Sequence, residues 1–199
     1  LSGDVMLTLA DVYMSRVDDE YFREVMSTFH RTSIEIAEGQ QYDMDFESRD
    51  DVAEEEYIEM IRLKTSVLLA AALKIGALMA GASQVDAEML YDFGVKMGLA
   101  FQLQDDYLDV YGNPDIFGKK IGGDILCNKK TYMLITALKK ADAVQREELE
   151  RWLTASDYHA AEKIEAVTRI YNEIGVDKCC GRIVEDYYNN CKPLTIVLD

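Results

Sequence analysis

Residues 83–112 read SQVDAEMLYDFGVKMGLAFQLQDDYLDVYG, and this stretch decides the fold class. It opens with Ser83 and Asp86 three residues apart, which is typical of a helix N-terminus because a serine oxygen there accepts a backbone N–H. Its large apolar residues recur at helical spacing: Leu90, Phe93, Met97, Phe101 and Leu108. Gly-Asn-Pro at 112–114 is typical of a helix end. We therefore predict one long helix.

The same helical periodicity continues on both sides of this stretch. Helices are predicted near residues 6–13, 22–29, 54–81, 128–140, 146–154, 158–174 and 180–190. Two prolines in 199 residues leave few helix breakers, and alternating β-type runs are nearly absent. The sequence therefore predicts an all-α fold in a single domain over residues 1–199.

Three local features refine this prediction. Residues 43–51 are polar and irregular, which predicts a loop, and Asp51 to Glu54 resembles a capping box at the start of the next helix. Residues 113–124 contain several glycines and predict a second loop. Gly94 and Gly98 lie one turn apart, so a neighbouring helix can approach closely there.

The charge of the chain limits its partners. Thirty-seven acidic against 21 basic side chains give a net charge of −16, which disfavours nucleic acid and anionic membrane surfaces. The longest apolar run, residues 67–81, contains Lys74 and is shorter than the roughly 20 residues of a membrane span. The four cysteines form no CxxC pair, so we expect free thiols and a cytoplasmic location.

An acidic cluster within FQLQDDYLD, residues 101–109, is the strongest functional signal. Asp105 and Asp109 are four residues apart and share one helix face, with Asp106 beside them and Gln102 one turn earlier. The neighbouring residues are apolar, so these carboxylates are predicted to be buried and to need a counter-charge. Oxygen ligands favour a hard cation such as Mg²⁺, with Mn²⁺ as a substitute.

The segment that follows carries the complementary charge. FGKKIGGD at 117–124 combines glycines with paired lysines, and NKKT follows at 128–131. Backbone N–H groups and lysines beside an acidic metal-binding turn suit a diphosphate, because the metal bridges carboxylates to phosphate oxygens. Each motif alone is weak, and the combination in this order is far more specific.

Together these motifs resemble the trans-isoprenyl diphosphate synthases, the group of farnesyl and geranylgeranyl diphosphate synthases. Three more segments resemble that family in the same order: LSGD at 1–4, EGQQYD at 38–43 and YIEMIRLKT at 57–65. The resemblance covers residues 1 to about 175. It implies an antiparallel helical bundle and a homodimer. It also implies a Mg²⁺-dependent prenyltransferase that condenses an allylic diphosphate with isopentenyl diphosphate.

The resemblance also implies roles for individual residues. Asp105 is the expected main metal ligand, Asp109 is expected to act through water, and Asp106 is the third acidic residue of the metal motif. The diphosphate is expected to be bound by Lys64, Lys119, Lys129, Gln40 and Asp43. Asp124 and Lys129 are expected to hold the closed loop. In this family the allylic diphosphate ionises to a carbocation. Thr65 and Gln102 are expected to place oxygen dipoles near that positive charge.

The chain also departs from the family pattern. The family's first aspartate-rich motif and its isopentenyl diphosphate-binding basic residues are not found in residues 1–199. We therefore expect these 199 residues alone to bind a metal–diphosphate complex without condensing substrates. Two alternatives stay open: a class I terpene cyclase, and a non-catalytic partner subunit or inactive truncated scaffold.

Overall fold

A computed structural model describes residues 2–118 and 120–191, and the part described is built from helices. In chain order they are α1 (Ser2–Met14), α2 (Asp19–Glu47), α3 (Glu54–Ile61), α4 (Val67–Met79), α5 (Gln84–Tyr111), α6 (Pro114–Phe117), α7 (Gly123–Leu126), α8 (Tyr132–Lys140), α9 (Ala143–Thr154), α10 (Ala160–Ile174) and α11 (Val176–Asn189). A π-helical turn, Arg62–Ser66, joins α3 to α4. No strand occurs in the ranges described, so the all-α prediction is confirmed.

Helix α5 is the central element, and α4 and α11 pack along it. Its N-terminus is as predicted: the Ser83 hydroxyl oxygen accepts the backbone N–H of Asp86 at 3.2 Å. Its C-terminus is also as predicted, with Gly112 as the first residue beyond the helix. Leu103 is completely buried, so the middle of α5 lies within the hydrophobic core.

Two glycines of α5 allow α4 and the π-helical turn to approach at backbone distance. A Cβ atom built on Gly94 would lie 2.5 Å from the Cα of Ala70, and one on Gly98 would lie 2.5 Å from the Cα of Ser66. Real Cβ atoms essentially never come this close to other heavy atoms, so any larger residue would push the helices apart. This confirms the close approach predicted from the glycine spacing.

The predicted loop at residues 43–51 is wrong. Helix α2 continues to Glu47, and the connection to α3 is residues 48–53. Phe46 explains the difference because it is only 3% exposed, and its burial keeps this polar segment helical. The predicted capping box is two residues early: α3 begins at Glu54, and the Glu56 carboxylate accepts the backbone N–H of Ala53 at 2.9 Å.

The other helix boundaries differ more modestly from those predicted. The single helix predicted for 54–81 is interrupted by the π-helical turn, in which the backbone N–H of Val67 donates to the carbonyl of Arg62. The predicted loop at 113–124 contains the short helix α6 and leads into α7. The helix predicted from residue 128 begins at Tyr132, because Asn128 adopts a left-handed backbone conformation that ends any helix there.

Within the part of the chain that the structure describes, no helix is long and apolar enough to cross a membrane. All four cysteines are free thiols, as predicted: Cys127, Cys179, Cys180 and Cys191. The single-domain assignment stays a prediction.

Candidate active site

The candidate site lies where α2, the π-helical turn, α5 and the segment 122–130 come together. The π-helical turn presents two of the predicted residues, Lys64 and Thr65. Its close contact with α2 depends on Gly39, where a Cβ atom would lie 2.5 Å from the backbone nitrogen of Lys64. Isolated π turns occur frequently at functional sites.

Lys64 is paired across helices with Asp43. Its ammonium nitrogen lies 2.5 Å from Asp43 Oδ2, and both side chains are partly buried. An ammonium carries three N–H donors, so this contact leaves two for another acceptor. Asp43 therefore fixes the direction of Lys64 without using up its capacity to bind an anion.

A chain of hydrogen bonds joins Thr65 to the core of the bundle. The Thr65 hydroxyl donates to Gln102 Oε1 at 3.1 Å, and Gln102 Nε2 donates to Asp106 Oδ1 at 3.4 Å. The Tyr57 hydroxyl donates to the other oxygen of Asp106. Because the Thr65 proton is directed at Gln102, the Thr65 oxygen keeps lone pairs for the cleft.

Asp106 is the most buried of the three acidic residues on α5. It is 2% exposed, whereas Asp105 and Asp109 are half-buried. Burial raises the pKa of Asp106 to about 7, and the hydrogen bond from Tyr57 opposes that rise. Asp106 thus lies behind the cleft, and its metal-binding role stays a prediction.

Asp109 holds the glycine-containing segment that follows α5. Its Oδ2 accepts the backbone N–H of Asp124 at 3.0 Å, and its backbone carbonyl accepts the N–H of Gly122 at 2.6 Å. A Cβ atom on Gly123 would lie 3.3 Å from Asp109 Oδ1, so the segment fits closely over this carboxylate. Asp109 therefore connects the acidic face of α5 to the segment that carries the lysines.

Asp124 and Lys129 form a partly buried pair on that segment, with Lys129 Nζ 3.8 Å from Asp124 Oδ1. Burial raises the pKa of Asp124, and Lys129 lowers it in part. Burial lowers the pKa of Lys129, but the carboxylates of Asp124, Asp106, Asp43 and Asp105 outweigh burial and raise it. Lys129 therefore faces the carboxylates of α2 and α5, and it is held charged.

The structure does not bring every predicted residue into this cluster. Gln40 is exposed on α2, one turn before Asp43. Lys119 lies outside the described residues.

With this geometry established, comparison with known proteins decides the family. Residues 1–174 match the sequence profile of polyprenyl synthetases. The chain belongs to the polyprenyl synthetase family. A short chain isoprenyl diphosphate synthase of Methanothermobacter thermautotrophicus is 39% identical over 201 residues, covering all of this chain and 61% of that protein. A geranylgeranyl diphosphate synthase of Methanosarcina mazei is 44% identical over 142 residues, covering 70% of this chain and 44% of that protein.

Solved structures of this family show the same fold. A geranylgeranyl pyrophosphate synthase crystal structure superposes with a TM-score of 0.91 at 40% identity, covering 98% of this chain and 60% of that one. A geranylgeranyl pyrophosphate synthetase structure from Pyrococcus horikoshii superposes with a TM-score of 0.88 at 27% identity, covering 99% of this chain and 60% of that one. The fold and the family predicted from the sequence are thus confirmed. The chain spans about three-fifths of the length of these solved relatives.

The donor set of the candidate site fits a hard divalent cation. The candidate ligands Asp105 and Asp109 offer only carboxylate oxygens, which Mg²⁺ prefers. In the ranges 2–118 and 120–191, no three His, Cys, Asp or Glu side chains converge enough to hold a metal ion by themselves. Mg²⁺ is commonly held by one or two carboxylates plus phosphate oxygens and water, which matches this arrangement.

Sequence reasoning missed three residues that lie in or beside the site. From the sequence, Tyr57 belongs only to a family motif, although a buried tyrosine hydroxyl usually requires a partner. Lys163 lies in line with Val167, Ile170 and Tyr171, the buried face of α10, and a lysine on an apolar face is a readable signal. The third residue, Asn128, gave no signal beyond its tolerance of left-handed backbone.

Proposed function

We propose that the protein is a Mg²⁺-dependent trans-prenyltransferase that condenses an allylic diphosphate with isopentenyl diphosphate. One observation carries this proposal: two partly buried lysines, Lys64 and Lys129, are each held by an aspartate, and Lys129 also lies beside the carboxylates of α5. Cations and carboxylates placed together suit a ligand that arrives as a metal–diphosphate complex, because each charge then has a counter-charge.

The residues have separable roles in this proposal. Lys64 and Lys129 bind the diphosphate and stabilise the charge that grows on it as the allylic bond breaks. Asp105 holds Mg²⁺, with Asp109 contributing through water, and the bound metal neutralises diphosphate charge. Asp106 stays a predicted metal contact, and we assign it a positioning role as well, because Tyr57 and Gln102 bind its two oxygens.

The oxygen dipoles of Thr65 and Gln102 would lie beside the positive charge that the allylic fragment develops. Their mutual hydrogen bond fixes both side chains before any substrate arrives, and preorganised dipoles cost no reorganisation during reaction. Gln40 and Lys119 stay predicted diphosphate contacts, and Asp124 stays a predicted loop-closing residue. A cytoplasmic location stays a prediction as well.

Pyrophosphate binding by the intact gene product should depend on Mg²⁺. Without the metal, the carboxylates of α5 repel the ligand, so we expect calorimetric titration with inorganic pyrophosphate to give about 100-fold weaker binding in EDTA than in millimolar Mg²⁺. Lys129→Met should weaken binding in Mg²⁺, and Lys178→Met, an exposed lysine on α11, should not. Metal-independent binding would show that the site is not built for a metal–diphosphate complex.

The same preparation separates the alternative functions. Incorporation of radiolabelled isopentenyl diphosphate into a longer allylic product supports the synthase. Conversion of an allylic diphosphate to hydrocarbon without isopentenyl diphosphate identifies a cyclase. Magnesium-dependent binding with neither reaction identifies a non-catalytic subunit.

We propose further that the protein forms a homodimer. Several apolar side chains of α1 are each more than 40% exposed: Val5, Met6, Leu7, Leu9, Val12 and Tyr13. Contiguous apolar surface of this kind typically marks an interaction site. Sedimentation velocity on the intact gene product at micromolar concentration should give a dimer, and a stable monomer would contradict the proposal.

A further inference from the structure

Lys163 on α10 is a buried cation outside the site described above. It is 1% exposed, and no carboxylate within the described ranges lies within ion-pairing distance of it. Its ammonium nitrogen donates to Asn128 Oδ1 at 2.6 Å and lies 4.5 Å from the centre of the Tyr158 ring. Burying a charge without an opposite charge is costly, so the contact with Asn128 must hold the lysine there.

Asn128 is itself in an unusual conformation. Its φ is +53°, and no other non-glycine residue in the described ranges has a positive φ. This left-handed region is unfavourable for a residue with a β-carbon and needs support from its surroundings. The side chain is held at both ends, because Oδ1 accepts from Lys163 and Nδ2 donates to the carbonyl of Leu153 at 2.9 Å.

The conformation of Asn128 sets the direction of the next residue, Lys129. The backbone N–H of Lys129 donates to the carbonyl of Asp124 at 3.0 Å, and its ammonium faces the Asp124 carboxylate. A helical or extended φ at position 128 would turn the chain and direct the Lys129 side chain elsewhere. The hydrogen bond from Lys163 therefore acts on Lys129 through one residue.

Helix α10 contacts the segment 122–128 at further points. A Cβ atom on Gly122 would lie 2.6 Å from the Cδ1 of Ile164, so the start of the segment rests directly on the residue after Lys163. The Tyr158 hydroxyl, just before α10, donates to the carbonyl of Leu126 at 3.3 Å. Residues 158–164 thus contact the segment 122–128 at several points, and Lys163 contacts its last residue, Asn128, which precedes Lys129.

We propose that Lys163 is a positioning residue for diphosphate binding, holding Asn128 in its left-handed conformation so that Lys129 faces the site. The proposal rests on the proposed function, in which Lys129 binds the diphosphate. In this role Lys163 does not touch the ligand. It donates a hydrogen bond to Asn128, whose backbone conformation sets the direction of Lys129.

The test compares three variants of the intact gene product by titration of inorganic pyrophosphate in Mg²⁺, below the melting temperature of each. Lys163→Met keeps the aliphatic length and removes the donor, and it should weaken binding about tenfold. Asn128→Gly combined with Lys163→Met should recover most of that loss, because glycine adopts positive φ without support. Lys178→Met on the exposed face of α11 is the matched control and should bind normally.

Another pair of variants decides the question if Lys163→Met does not fold. Asn128→Ala and Asn128→Gly both leave Lys163 without its hydrogen-bond acceptor, so the melting temperature of each variant should be lower than that of the unmodified protein. Only alanine has a β-carbon that opposes positive φ, so the Asn128→Ala variant should bind pyrophosphate about tenfold more weakly than the Asn128→Gly variant.

Two results would overturn the inference. One is normal pyrophosphate binding by folded Lys163→Met, and the other is equal binding by the alanine and glycine variants at position 128. Lys129→Met separates this from a failure of the proposed function. If Lys129→Met binds pyrophosphate normally, the assignment of Lys129 fails, whereas weakened binding there together with normal binding by Lys163→Met refutes only the role of Lys163.

Discussion

Replacing Asp105 with alanine is expected to lower turnover by more than about 100-fold while the helical fold is retained. Asp105 is half-buried on α5 and acts electrostatically on both Asp124 and Lys129. In the proposed function Asp105 is the main metal ligand, so its loss would remove charge stabilisation from the departing diphosphate, which is the costly part of the proposed reaction. Radiolabelled isopentenyl diphosphate incorporation by the intact gene product measures the rate, and circular dichroism measures the fold.

The control for this variant lies on the same helix. Asp92→Ala removes an exposed carboxylate from α5 three and a half turns before the site. It changes the net charge of the protein by the same amount, so it should leave turnover nearly unchanged. A similar loss in both variants, or less than a tenfold loss at Asp105, would show that the acidic face does not hold the metal.

Gly39→Ala is expected to damage both stability and catalysis although it adds a single methyl group. The new Cβ would lie 2.5 Å from the backbone nitrogen of Lys64 and 2.8 Å from the Cβ of Leu63. Neither atom can move without displacing the π-helical turn, and overpacking of this kind costs about 1–3 kcal/mol. Displacing Lys64 and Thr65 by about 1 Å should lower turnover about 100-fold. Chemical denaturation and the same incorporation assay measure the two effects.

Gly76→Ala provides the opposite expectation on a neighbouring helix. Gly76 is exposed in the interior of α4, and a Cβ atom there would meet nothing within 4 Å. Alanine at such a position should stabilise the protein by about 0.5–1 kcal/mol and leave turnover unchanged. If Gly39→Ala behaved like Gly76→Ala, the close contact between α2 and the π-helical turn would not be a requirement of the site.

Local signals in the sequence were sufficient for the framework of the fold. The Ser83 cap, the apolar spacing of α5 and the stop at Gly112 depend on neighbouring residues only, and all three are found as predicted. The end of α2 was mispredicted because the burial of Phe46 against distant residues overrides a polar local composition. Where the local signal is weak, tertiary packing therefore determines the helix boundary.

In the candidate site, too, some features follow from local sequence spacing and others depend on tertiary packing. Spacing correctly placed Asp105 and Asp109 on one side of α5, but it could not show that Asp106, about 100° further around the helix, faces Tyr57 in the core. The contact between Lys64 and Asp43 joins residues that are 21 positions apart on different helices. Such contacts depend on how the helices cross, which no single-helix pattern contains.

The π-helical turn between α3 and α4 has a consequence for how the gene can tolerate insertions and deletions. A π turn accommodates one residue more than an α-helical turn, so everything after it is rotated by about 100° relative to an uninterrupted helix. Deleting one codon within Arg62–Ser66 would remove this extra residue and close the turn into a regular helix, so α4 would not rotate about its axis. Ala70 would stay against Gly94, so this five-residue window is where the helix can lose one residue without changing the phase between α4 and α5.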